Sequence, residues 1–158
     1  MEVLNLLHFG TRTELRQWFK ENHNKEKCCW VVTYRSKCPS EWPAIPYIDV
    51  VEEALCFGWI DSTLKRLPDG RLAQRLSPRR TKSHWTQLNM DRCVDLEDRG
   101  LMTEAGRQAF EQAFEYEIIP TDSEINQRIK EEAKLRRPEM YEQEGRRSKT
   151  EPHQVTSR

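Results

Sequence analysis

Six glycines are spread through 158 residues. None is arranged as a phosphate-binding loop, a dinucleotide fingerprint or a nucleophile elbow, so the folds recognised by those motifs are set aside. Net charge is missing as well, since 26 lysines and arginines balance 26 aspartates and glutamates. That balance excludes a globally basic nucleic-acid binder and a globally acidic tail, and any electrostatic role has to be local. No stretch approaches the roughly 20 apolar residues of a membrane span. Residues 1–5 have neither the basic start nor the apolar run of a signal peptide. The expected location is cytoplasmic, with no membrane partner.

Paired metal-ligand spacings are also absent. Five cysteines stand at 28, 29, 38, 56 and 93, and four histidines at 8, 23, 84 and 153. The cysteine count is odd, and adjacent Cys28 and Cys29 would form only a strained bridge. Reduced thiols, no metal and no cofactor are expected. Cys56 invites a nucleophile reading. It falls in the last turn of an expected helix, however, where the negative end of the dipole raises a thiol pKa, and core packing explains it better.

What is present is a legible α+β pattern. Thr11 and Glu14 form a capping box that opens a helix over 11–23, with Leu15, Trp18 and Phe19 on one face. Residues 29–35 are β-branched and aromatic and read as a buried strand. A proline-bearing loop holding Trp42 leads to a helix over 47–57, with Tyr47, Val50, Val51, Ala54 and Leu55 as its apolar stripe and Asp49, Glu52 and Glu53 off it. Gly58 stops that helix. Ser83 is the expected N-cap of a helix over 84–99, and Thr103 of a fourth with Ala105, Ala109, Phe110, Ala113 and Phe114 in a row. Residues 1–120 are expected to form one α+β domain, a small antiparallel sheet packed with four or five helices. Residues 121–158 are expected to hold a weak helix with Ile125 and Ile129 and a charged tail too polar to repay the entropy of ordering.

The centre of the chain carries the chemistry. Residues 59–67 alternate, Pro68-Asp69-Gly70 turns, and 71–77 alternate again, which predicts a hairpin over 59–77. The turn pairs Lys65 with Ala73, Thr63 with Arg75 and Asp61 with Ser77, and would set Asp61, Thr63, Lys65, Arg71, Arg75 and Arg79 on one face. Seven basic residues lie between 65 and 82, against Asp69 alone. Arginine's planar fork matches phosphate and carboxylate oxygens, so this run reads either as an anion site or as a solvated edge. Asp61 reads first as a cross-strand partner of Arg75 or Arg79, and second as a carboxylate that orients an arginine or takes a proton. Ser83 at a helix start beside Arg79 and Arg80 would add free amides to an anion cradle. His84 can titrate near neutrality. Asn89 shares a helical side with Trp85 and reads equally as buried or as a ligand contact. Trp59 and Trp85 would be apolar walls, though such rings more often belong to a core.

Several of these residues recur in a compound pattern. Glu53-Ala54-Leu55-Cys56-Phe57-Gly58-Trp59-Ile60-Asp61-Ser62 is followed by Ser77-Pro78-Arg79-Arg80, Ser83-x-Trp85-x-x-x-Asn89 and Gly100-Leu101-Met102-Thr103-x-x-Gly106. Together they resemble the YdeI/OmpD-associated protein family of bacteria, over roughly residues 8–115. The resemblance implies a cytoplasmic bacterial protein with a link to bacteriocin protection, and it transfers no catalytic residues. The sequence thus points first to a module that binds an anionic, phosphate-bearing small molecule or nucleotide. An enzyme acting on such a substrate and a protein-interaction factor are the rivals, and a nucleic-acid partner ranks below them.

Overall fold

The alternation of the hairpin and the all-buried run before it place three strands side by side. A computed structural model describes residues 2–115 together with 131, 132 and 135. In chain order the elements are β1 (Leu6–Leu7), α1 (Arg12–Asn22), β2 (Cys29–Tyr34), β3 (Ile45–Pro46), α2 (Tyr47–Cys56), β4 (Trp59–Arg66), β5 (Leu72–Pro78), α3 (Gln87–Asp98) and α4 (Glu104–Glu115). The fold is α+β, with four helices and a five-stranded sheet ordered β1-β2-β5-β4, β3 also pairing with β2. The sheet is mixed, because β1 and β3 run parallel to β2 while the longer pairings are antiparallel. The expected antiparallel sheet of the strand near 29–35 and the hairpin is present, and the two short parallel strands join it at β2, each too short at two residues to carry a readable period. The weak helix expected around Ile125 and Ile129, and the tail beyond Pro138, lie outside the described residues.

One face of the sheet carries Cys29, Val31, Leu76 and Trp59 against Leu15, Phe19, Val50, Val51 and Leu55 of the helices. The α1 capping box forms as expected: the Glu14 amide donates to Thr11 Oγ1 at 3.3 Å, and the Thr11 amide to Glu14 Oε1 at 3.1 Å. At the end of α2, Gly58 takes φ +76° and its amide donates to the Leu55 carbonyl at 3.2 Å. The start of α4 docks there. A side chain on Gly106 would meet the Cys56 carbonyl and lie 2.6 Å from the Leu55 carbonyl oxygen, so only glycine permits this approach. Thr103 fastens the same corner, its amide and hydroxyl both donating to the Cys56 carbonyl.

The acidic residues of α2 lie off its apolar stripe, yet they are as buried as the stripe itself. Asp49, Glu52 and Glu53 are each 1% exposed or less. Arg12 reaches them from α1, donating to Asp49 at 3.2 Å, to Glu52 at 2.7 Å and also to Glu53. Arg16 binds Glu53 at 2.9 Å and the Leu101 carbonyl at 2.6 Å. Arg99 spans Glu52 at 3.1 Å and Asp95 at 2.9 Å. Burial alone would lower the Arg12 pKa, but the charges of Glu52, Glu53 and Asp49 outweigh it and raise it. Three helices are thereby joined through one buried ionic network.

The hairpin departs from its expected register at one point. Near the turn Lys65 pairs with Ala73 as the pattern requires, and Leu64 with Gln74, but Asp61 pairs with Leu76 and not with Ser77. Three steps on β4 therefore match two on β5, which is a β-bulge at Ser62 and Thr63. Every side chain before the bulge changes face. Asp61 and Trp59 join Leu76 on the helix-covered side, while Arg75, paired with Trp30, lies on the other.

The third helix also begins later than expected. Thr86 caps α3, accepting from the Asn89 amide at 3.2 Å, and Ser83 precedes it in a turn.

Arg12→Met would leave buried carboxylates without their main counter-charge, and denaturant unfolding should show a loss of about 3–5 kcal/mol. Gly106→Ala should cost about 1–3 kcal/mol by the same measurement, because α4 must move off the end of α2. An unchanged midpoint in either variant would contradict the packing described.

Candidate functional site

Arg79 leaves the sheet where β4 and β5 part, its amide donating to the Gly58 carbonyl at 3.0 Å. The next residues turn back, with the Ser83 amide on the Arg80 carbonyl at 3.1 Å, and bring Trp85 beneath the guanidinium. The Arg79 Cζ stands 3.6 Å from the Trp85 ring centroid. Nη1 donates to Ser83 Oγ and to the His84 carbonyl, each at 3.1 Å. Nε and Nη2 are buried and meet no acceptor among the described residues. Those two nitrogens form one intact side of the guanidinium, the edge on which arginine holds an oxyanion with two parallel hydrogen bonds.

The electrostatics isolate this edge further. Burial lowers the Arg79 pKa, and the opposing influence of Cys93 and Asp61 does not restore it. Burial in turn pushes the Cys93 thiol up to about 12, so it stays neutral and supplies no counter-charge. Arginine keeps its proton regardless, which leaves a partly desolvated cation with two unused donors.

Asp61 lies within electrostatic reach of Arg79 but forms no ion pair with it. Its Oδ2 instead accepts from the Tyr47 hydroxyl at 2.8 Å. Tyr47 is pushed up to about 12, first by burial and then by the Asp61 charge and hydrogen bond, with Arg35 and Arg92 pulling the other way. The Arg35 guanidinium covers the Tyr47 ring at 3.9 Å, and Arg92 donates to Asn89 Oδ1 at 3.1 Å. Arg35, from the end of β2, and Arg92, from α3, thus act on Tyr47, and Asp61 acts on Arg79 at the end of β5.

The nine candidates from the sequence divide unevenly. Arg79, Ser83, His84 (through its carbonyl) and Trp85 meet directly, Asp61 acts on Arg79 only electrostatically, and Asn89 accepts from Arg92. Trp59 does not take part: it is buried edge-on to Trp18 and Phe19 at 5.8 and 5.2 Å, and donates to the His23 carbonyl at 3.2 Å. Arg75 is on the opposite sheet face, and Arg80 is exposed. The expected row of Arg71, Arg75 and Arg79 is therefore dispersed, with Arg71 held by Asp69 at 2.9 Å. No helix start contributes, because the first turn of α3 begins at Gln87. Tyr47, Arg35 and Arg92 were not anticipated. Tyr47 read as apolar stripe, and only the three-residue step from Asn89 to Arg92 hinted at a pair.

A separate cavity of about 380 Å³ lies between residues 10–13 at the start of α1 and Tyr34, Pro43 and Asp49. None of the nine candidates lines it. No group of three or more metal-ligating side chains occurs among the described residues. No described helix is long and apolar enough to cross a membrane.

Since Asp61 contributes to the Tyr47 shift, Asp61→Asn should bring the Tyr47 transition down from about pH 12 towards 10, with the part due to burial remaining. The folded pKa exceeds the unfolded one, so this tyrosine's contribution to stability is present below pH 10 and is lost as pH rises through 12. A phenolate absorbance titration of wild type, Asp61→Asn and Tyr47→Phe measures it, and identical curves would contradict the Tyr47–Asp61 bond.

Comparison with known proteins finds no matching curated protein and no matching solved structure. One protein-family profile matches, over residues 7–109, and so spans every residue of the candidate site. The chain belongs to the family described as a domain of unknown function, DUF8412.

Proposed function

We propose that the protein is a binding module for an anionic, phosphate-bearing small molecule, received on the acceptor-free Nε/Nη2 edge of Arg79. One observation carries this reading: the two donors without acceptors are the pair that makes a side-on fork, while Nη1 is used to lock the group in place. The Trp85 ring supports the guanidinium from its face but cannot satisfy in-plane N–H groups. A bound oxyanion would supply both the missing acceptors and the missing counter-charge. The residues that resemble the YdeI/OmpD-associated family include Asp61, Arg79, Ser83, Trp85 and Asn89, and on this reading they share a single task.

An enzymatic role has less support. Proton transfer works best with a group whose pKa lies near the working pH. Tyr47, at about 12, is far from it and serves to hold Asp61.

Titration calorimetry with inorganic phosphate tests the proposal. Arg79→Lys keeps the charge and loses the fork, so affinity should fall about 10- to 100-fold, the worth of one or two hydrogen bonds to a charged group. Arg80→Ala, on an exposed neighbour, should leave it unchanged apart from a small screening effect. Equal affinity in wild type and Arg79→Lys would sink the reading, provided both melt as folded proteins.

A further inference from the structure

His8 follows β1 directly and is exposed, and both nitrogens of its ring are in use. Nε2 lies 2.8 Å from the Pro43 carbonyl oxygen, and Nδ1 lies 3.2 Å from Arg71 Nη1. These partners decide which nitrogen carries the proton. A carbonyl can only accept, so Nε2 holds the hydrogen and donates it. A guanidinium can only donate, so Nδ1 is the bare nitrogen that accepts. One neutral tautomer satisfies both contacts. The protonated ring satisfies only the first, because a proton on Nδ1 removes the acceptor and sets a second cation against Arg71.

The two contacts bridge β2. β1 and β3 both run parallel to β2, and β5, which Arg71 leads into, pairs with it antiparallel. Pro43 belongs to the loop before β3, whose Cys38, Trp42 and Ala44 pack with Val32 and Tyr34 of β2. His8 therefore ties that loop to the turn of the hairpin. Within the turn, Asp69 accepts from the Arg71 side chain at 2.9 Å and from its amide at 3.1 Å. The amide bond is the leading cause that holds the Asp69 carboxyl below its ordinary range, so Asp69 stays charged where histidine titrates. No carboxylate meets the His8 ring among the described residues.

We propose that His8 is a pH-sensitive latch: neutral, it holds the loop before β3 and the hairpin turn together, and protonated, it keeps Pro43 and releases Arg71. The latch is independent of the anion reading at Arg79, since it shares no residue with that site.

Nitrogen-15 spectra of the imidazole and arginine side chains, recorded on the full chain from about pH 8 to about pH 5, test it. At the upper end His8 should show Nδ1 as its unprotonated nitrogen. On acidification the Arg71 side-chain signal and the Gly70 and Arg71 amides should shift with the same midpoint as His8. His8→Gln keeps a donor for Pro43 and should abolish the response at Arg71. Arg71→Gln should leave His8 titrating. The wild-type tautomer and midpoints need no variant, so a folding defect in either variant leaves the test intact. A proton on Nδ1 in the neutral ring would overturn the proposal. So would Arg71 and turn signals that stay put through the His8 transition, or that respond unchanged in His8→Gln.

Discussion

The fold turns on a buried ionic knot. Arg12, Arg16 and Arg99 close on Asp49, Glu52, Glu53 and Asp95, and in doing so fasten α1, α2 and α3 to one another. Such a network adds little net stability compared with a well-packed apolar core, but breaking it is expensive, because each carboxylate is stranded out of water. It acts as a constraint on geometry. With α2 pinned by its acidic side, its apolar stripe must face the sheet, and its first residue, Tyr47, is delivered to β4. Gly58 and Gly106 then fix where the helix ends and what may touch that end.

That constraint reaches the candidate site through the β-bulge. Without the extra residue at 62–63, Asp61 would sit on the far face of the sheet, beside Arg75. With it, the carboxylate meets the Tyr47 hydroxyl and comes within electrostatic range of Arg79. Arg79 is in turn held by a turn and a ring, not by a carboxylate. The site is therefore shaped by local geometry: a partly desolvated guanidinium held by a turn and a ring, within electrostatic range of a carboxylate bonded to Tyr47.

The sequence made much of the architecture legible and less of the site. The capping box at Thr11, the stop at Gly58 and the hairpin about Gly70 were readable because each depends on a few adjacent residues with a fixed physical role. The buried acids of α2 were not, because their burial depends on Arg12 and Arg16 one element earlier, a relation that no periodicity records. The bulge was invisible for a similar reason. Residues 59 to 67 read in sequence as one continuous strand with no mark of the extra residue, and the slipped register goes with Trp59 packing against Trp18 and Phe19. Of the basic run, Arg79 alone is captured by the turn at Ser83 and the ring of Trp85, while Arg75 lies on the other face, Arg71 pairs with Asp69 and Arg80 is exposed. Likewise Ser83 lies beside Arg79 as expected, but as an acceptor in a turn and not as a helix cap.

The functional reading rests on the Nε/Nη2 edge of Arg79 as an acceptor-free fork awaiting an oxyanion. Nitrogen-15 spectra of the arginine side chains, recorded as phosphate is added, address it directly. The account predicts one Nε–H signal, absent in Arg79→Lys, that shifts and exchanges more slowly with water as phosphate saturates. A spectrum in which that signal stays put while another arginine responds would contradict it.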